Sequence, residues 1–392
     1  MGLLGWIQSA IQHERQALFR AGTANLPAAR YLLPMPRVLD PMTLSRRNLL
    51  RVGAALGAAA APLGLIAHDV QGAPLIAKPP PGFSPLKTKG RIVKVSTKGS
   101  FAGLMQNNQL WPKADVAQRM VEKALMELTG AANISEALGK FIHAKDKVAI
   151  KVNGLAGQNG HTMAANFEVI DPIVRGLIAL GVPAGNIMVF EQTQRFLEGA
   201  RINVRTWQLP KGVKTGVHKK EVASMKPIEV NKGIPMRFVT LLMNATAVID
   251  VSQIKDHSIF GYTGAIKNIS HGTQTNPHDQ HHGDTDEPAV IYAHKIVQSR
   301  MRLHIVDGFK LLYDGGPHDN PRARALHGAV YASTDGVALD TVGVDVIDRV
   351  RKEKKIKSLS AAGREPKYIR AGDRLKVGEG DLNKIRLSKR YI

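Results

Sequence analysis

Between Ala247 and Asp286 the chain gathers more candidate bases, ligands and anion contacts than anywhere else. Lys255, Asp256 and His257 follow a short apolar run. Gly264-Ala265-Ile266-Lys267-Asn268 comes next, and then a loop carrying His271, His278, Asp279, His281, His282, Asp284 and Asp286. An imidazole titrates near neutrality and suits acid/base work, which makes His257 the first candidate for proton transfer. The ammonium groups of Lys255 and Lys267 can hold a carboxylate or a phosphate. Neutral imidazoles with carboxylates also ligate zinc and similar divalent metals, and the spacing His278-x-x-His281-His282-x-Asp284, with His271 ahead of it, defines a candidate metal set. Each has a plainer use: a solvated polar loop for the histidines, a hydrogen-bonded structural imidazole for His257, and a solvated face for the lysines.

These residues need a scaffold that brings them together. Apolar runs of strand length occur at 91–96, 147–152, 187–190, 247–251, 303–306 and 328–332, and helical periodicity at 116–128, 169–180, 287–302 and 337–353. Alternation of this kind predicts an α/β fold, a mostly parallel sheet with helices on both faces, interrupted by a β-rich excursion near 206–237. In such sheets ligands bind beyond the carboxyl ends of the strands. Four strand ends are unusually polar: Lys151, Asn153 and Gly154; Lys255 and His257; Asp307 and Gly308; Ser333, Thr334 and Asp335. The expectation is that they share one edge, with Asp307 joining the catalytic set and Lys151, Asn153, Asn268, Ser333, Thr334 and Asp335 contacting substrate. For Ser333-Thr334-Asp335 a helix N-cap is the simpler use. Asp307 and Asp340 are available to pair with the lysines or to support a metal.

Four blocks carry a resemblance: Val148-Ala-Ile-Lys151-Val-Asn153; Lys255-Asp-His257 with Gly264-Ala-Ile-Lys267-Asn268; Asp307-Gly308 with Gly315-Gly316-Pro317; and Ala332-Ser-Thr-Asp335-Gly-Val-Ala-Leu-Asp340. In this order they resemble the conserved blocks of the DUF362 family, over roughly residues 147–380. The resemblance implies a domain and no particular activity. Many members resemble iron–sulfur proteins through an attached ferredoxin-like segment. This chain has no Cys, which departs from that arrangement and excludes disulfides, thiolate metal sites and Cys-bound clusters.

The 392 residues suffice for a large core, and the formal charge of +22 favours anionic partners, a small molecule or an envelope polymer. No Arg–aromatic cluster points to nucleic acid. Ser45-Arg46-Arg47-Asn48-Leu49-Leu50, followed by an Ala- and Gly-rich run over 52–67, resembles a twin-arginine (Tat) signal peptide and implies export through the Tat translocase to a periplasmic or other extracytoplasmic address. The signal spans 42–73; left uncleaved it would tether the chain to the membrane. Met42 would open a short n-region, so 1–41 is either an extension or sequence ahead of the true start. Residues 74–90 are Pro-rich and read as a linker, with the α/β domain at 91–392. Walker, dinucleotide-binding, Ser-x-x-Lys and nucleophile-elbow patterns are missing. Two functions fit: an exported enzyme working on a small anion at a Lys/His/Asp site, with a divalent metal as candidate cofactor, or a non-catalytic binding or accessory protein.

Overall fold

The apolar runs become the middle of one sheet. In the computed structural model, which describes residues 75–218, 227–231, 233–282 and 285–392 (backbone only at Val230, Asn231 and His282), the strands are β1 (Arg91–Ser96), β2 (Val148–Val152), β3 (Ile187–Glu191), β4 (Lys214–Val217), β5 (Ile228–Asn231), β6 (Ile234–Met236), β7 (Ala247–His257), β8 (Gly261–Thr263), β9 (Met301–Leu312), β10 (Arg324–Ser333) and β11 (Arg386–Tyr391). The described residues all belong to the unit His68–Ile392. The paired arginines, Met42 and Asp284 lie outside them. No helix among the described residues is long and apolar enough to cross a membrane.

The main sheet runs β11-β1-β10-β9-β7-β2-β3-β4, with β8 on the far end of β7. Pairing is parallel from β9 through β7, β2 and β3 to β4, and again between β1 and β11. Only β10, against β1 and β9, and the short β8 are antiparallel. The excursion after 206 contributes β4 to this sheet and a separate hairpin, β5–β6.

Side-chain alternation divides the core in two. Val148, Ile150 and Val152 of β2 and Ala247, Ile249 and Val251 of β7 point to one face, where the helices Ala114–Thr129, Ile134–Leu138 and Phe167–Ala179 cover them. Ala149 and Val248 point to the other face, under the helices Thr240–Met243, Ala265–Ser270, Glu287–Ala293, Gly336–Glu353 and Lys367–Arg374. Burial of both faces explains why the strands read as continuous apolar runs. The helix Phe167–Ala179 is braced at its start by Glu168, which pairs with Arg201; that guanidinium is held between Trp111 and Trp207, 4.6 and 4.7 Å from the ring centroids.

Three elements differ from the sequence expectation. β7 continues to His257 and β9 to Leu312, so Lys255, His257, Asp307 and Gly308 are strand residues and not turn residues. The side chains of Lys255, His257 and Asp307 are buried and hydrogen-bonded, so the apolar pattern of a buried strand is broken there. The helix expected over 287–302 breaks at His294, whose backbone leaves the helical region (ψ 137°) and whose side chain accepts from Ile296 N. The Pro-rich stretch is extended and lies along the body: Leu86 N donates to Lys140 O, Thr88 N to Thr334 Oγ1, and Arg300 Nη1 to Leu75 O.

Candidate functional site

Where β2, β3 and β7 end, a cavity of about 50 Å³ is lined by Lys151, Asn153, Glu191, Thr263, Lys267, Asn268 and His271, among others. Each side chain arrives by a separate route. Lys151 is the fourth residue of β2 and points to the face carrying the helix Ala265–Ser270, where its Nζ donates to Asn268 Oδ1 (3.2 Å) and to Val152 O (2.5 Å) and pairs with Glu191 Oε1 (3.1 Å). Glu191 closes β3 and is itself fixed by the amides of Gly154 (2.6 Å) and Gln192 (2.5 Å). The chain can pass so closely only because residue 154 is glycine: a Cβ there would stand 1.7 Å from Phe196 O.

Lys267 and Asn268 sit on a one-and-a-half-turn helix that could not hold its own start. Asp340, from the helix Gly336–Glu353, caps it by accepting from Ala265 N (2.6 Å) and Ile266 N (3.0 Å). Asp340 therefore positions this helix and pairs with no lysine. Asn268 is locked from behind: its Nδ2 donates to Asp250 Oδ1 (2.6 Å), Asp250 Oδ2 meets His304 Nδ1 (2.9 Å), and His304 Nε2 meets the Tyr292 hydroxyl (2.9 Å). Its Oδ1 is left to face Lys151 and Asn153.

Lys255 approaches from beneath. Its Nζ donates to Asn153 Oδ1, to Leu155 O (2.8 Å) and to Met163 O (3.3 Å). Complete burial, only partly offset by Glu191, pulls its pKa down to about 7. Burial has the same effect on Lys267, also to about 7, against the pull of Glu287. Lys267 Nζ meets His281 Nε2 (3.1 Å) and lies over the Phe260 ring (5.1 Å). Since His281 Nδ1 donates to Pro277 O (2.6 Å), its Nε2 is the acceptor.

His271 and Glu287 complete the site. His271 lines the cavity with its Nε2 buried and unpartnered, 3.6 Å from Glu287 Oε2. Both Glu287 oxygens are buried without a hydrogen bond, and burial raises this carboxyl to about 8. Thr263 Oγ1, on the cavity wall, is likewise unpartnered. Buried polar atoms left without partners are costly, and here several cluster around one space.

The structure sorts the sequence candidates. Lys151, Asn153, Lys255, Lys267, Asn268 and His271 meet at this site. His257 stands just behind it: its Nδ1 accepts from the Ile259 and Phe260 amides (3.1 and 3.2 Å), and burial, followed by Lys267, holds its pKa far below the usual value. Asp307 is consumed by structure, its Oδ2 accepting from Asn166 N (2.6 Å) and Nδ2 (2.8 Å) and its Oδ1 from Phe309 N (3.2 Å). Ser333, Thr334 and Asp335 are at the wrong edge. β10 runs antiparallel to β9, with Ser333 opposite His304, so its carboxyl end points away from the ends of β2 and β7. There Ser333 donates to Arg91 O, Thr334 accepts from Thr88 N, and Asp335 caps the helix Gly336–Glu353 through Ala338 N.

The histidine loop divides. His271 and His281 face inward with ring centroids 4.7 Å apart, whereas the His278 side chain is 90% exposed beside Asp279. His282, as a side chain, and Asp284 fall outside the described residues. Among those described, no cluster of three or more His, Asp or Glu is arranged to hold a metal ion. Glu191 and Glu287 were not among the expected site residues. Glu191 ends a buried strand, the signal that singled out the others. Glu287, followed by Pro288, looks like any acid in the first turn of a helix.

The sequence model of the family described as "Domain of unknown function (DUF362)" matches residues 148–345. The chain belongs to the DUF362 family. The matched span holds every strand that builds the cavity, and this DUF362 protein has no match among curated proteins. Among solved structures it is similar to the lactate racemase apoprotein from Thermoanaerobacterium thermosaccharolyticum, at 11% identity and a TM-score of 0.36 over 66% of this chain and 57% of that one. The DUF362 chain thus spans less than two thirds of that structure's length.

Proposed function

We propose that this protein is an exported enzyme that binds a small anion, a one- to three-carbon carboxylate or a phosphate-sized oxyanion, and transfers a proton to or from it. The observation that carries this reading is the cavity itself, about 50 Å³, lined by Lys151, Lys267, Thr263 and His271, the last two with a buried polar atom that makes no hydrogen bond. That volume suits about three or four waters or one small acid. A polymer chain is too large for it.

In this reading Lys267 and Lys151 hold the anion, while Asn153 and Asn268 fix the lysines. His271 is the acid/base group, because its ring lines the space and burial keeps it neutral. Glu287, 3.6 Å from His271 Nε2, steadies the ring once it gains a proton. Lys267 titrates near neutrality, so an arriving anion draws a proton onto it and gains a charged partner. Export belongs to the proposal and rests on the twin-arginine sequence, as do the Tat translocase as partner and an extracytoplasmic address.

The test is incubation of small carboxylic acids with the protein in D2O, followed by proton NMR. Exchange of a substrate C–H or isomerisation of the acid, lost in His271→Gln, supports proton transfer. Thermal stabilisation by an acid that is never turned over would instead assign a binding protein.

A further inference from the structure

At the opposite edge of the sheet, where β9 begins and β10 ends, lies a second pocket of about 190 Å³. It shares no lining residue with the cavity of Lys151 and Lys267. Lys87, Lys89, Lys376 and Arg302 face it, against the single carboxylate of Asp335. That carboxylate is already committed: Oδ2 accepts from Gly90 N (2.8 Å) and Glu379 N (3.0 Å), and Oδ1 from Ala338 N (2.9 Å). It neutralises little of the surrounding charge, and the concave wall concentrates a positive field.

Arg302 is the second observation. The residue is only 5% exposed, and its two terminal nitrogens are spent on the carbonyls of Ser299, Met301 and Thr246. Its Nε is buried with no acceptor. Arg302 sets a fixed positive charge in the wall and three exposed lysines stand around the same opening, a set that suits a multivalent oxyanion.

We propose that this pocket binds a phosphate-bearing small molecule, its phosphate oxygens held by Lys87, Lys89 and Lys376 and its charge balanced from the buried wall by Arg302. A phosphate offers more charge and more acceptor oxygens than a carboxylate, which suits several ammonium groups at once. The volume exceeds that of bare phosphate and leaves room for a short polyol or sugar body.

The experiment is calorimetric titration of the full chain, in low salt, with glycerol 3-phosphate, a body too large for the other cavity of about 50 Å³, and in parallel with phosphatidylglycerol vesicles. The wild type is expected to bind glycerol 3-phosphate. The triple variant Lys87→Gln, Lys89→Gln, Lys376→Gln alters only exposed side chains and keeps the fold, and it should bind at least about tenfold more weakly, equivalent to about 1.4 kcal/mol. Lys267→Met should bind glycerol 3-phosphate as the wild type does. Failure of the wild type to bind glycerol 3-phosphate overturns the proposal. So do undiminished glycerol 3-phosphate binding in the triple variant, its loss in Lys267→Met, or binding confined to the vesicles.

Discussion

Lys255→Met isolates the cost of a buried amine. In the folded chain the Lys255 pKa is about 7, against 10.5 for an ordinary lysine. A native pKa below the unfolded value means that the unfolded chain binds the extra proton between those limits, so stability rises with pH there. Below about pH 7 the penalty is complete, and it is relieved as the pH climbs toward 10.5. The slope is about 1.4 kcal/mol per pH unit, which between pH 7 and pH 9 amounts to about 2 kcal/mol once partial titration at pH 7 is included. Methionine has a similar length and no charge, so the variant lacks this term. Urea unfolding of both proteins at pH 7, 8 and 9 should show the wild type gaining about 2 kcal/mol on the variant. Parallel curves would refute the reasoning and mean that Asn153 Oδ1, Leu155 O and Met163 O keep the ammonium charged.

Glu287→Gln should give the opposite trend. The raised carboxyl makes the wild type lose stability as pH rises from its ordinary value of 4.5 toward 8, so the variant should gain on it across that window in the same urea assay. Gly261→Ala is expected to destabilise by roughly 1–3 kcal/mol or more in thermal unfolding, since φ is +75° and a Cβ would come within 2.0 Å of Arg364 O. Arg46→Lys with Arg47→Lys should abolish export while leaving the cytoplasmic protein folded, read by fractionation and circular dichroism. A chain starting at Met42 should export as well as the long form.

Much of the fold was legible because buried parallel strands leave continuous apolar runs, as at 148–152 and 247–251. Strand length was not legible where buried polar side chains interrupt the apolar run. Gln253, Lys255 and Asp307 lie in strands yet are polar, because each spends its side chain on a buried partner: Gln253 on Ala164 O, Lys255 on Leu155 O, Asp307 on Asn166 N. Strand direction leaves no mark on composition, which is why Ser333 was grouped with Lys151 although β10 carries it to the other edge. The grouping of Lys151, Asn153 and Lys255 needed only the rule that ligands meet parallel sheets at their carboxyl ends, and Lys267 and Asn268 were singled out by the Gly-containing turn that follows. Glu287 could not be found that way, since what marks it is burial without a hydrogen bond in the folded protein.

The central claim is that the cavity between Lys151 and Lys267 takes a small anion. Its most direct test is calorimetric titration with formate, acetate, glycolate and malonate, using wild type, Lys267→Met and Gly272→Ala. In Gly272→Ala a Cβ would press within 2.3 Å of Lys151 Cε and push that lysine from its place. The account predicts that at least one carboxylate binds the wild type and is lost in both folded variants. No binding by any probe, or carboxylate binding that survives both substitutions, would contradict it.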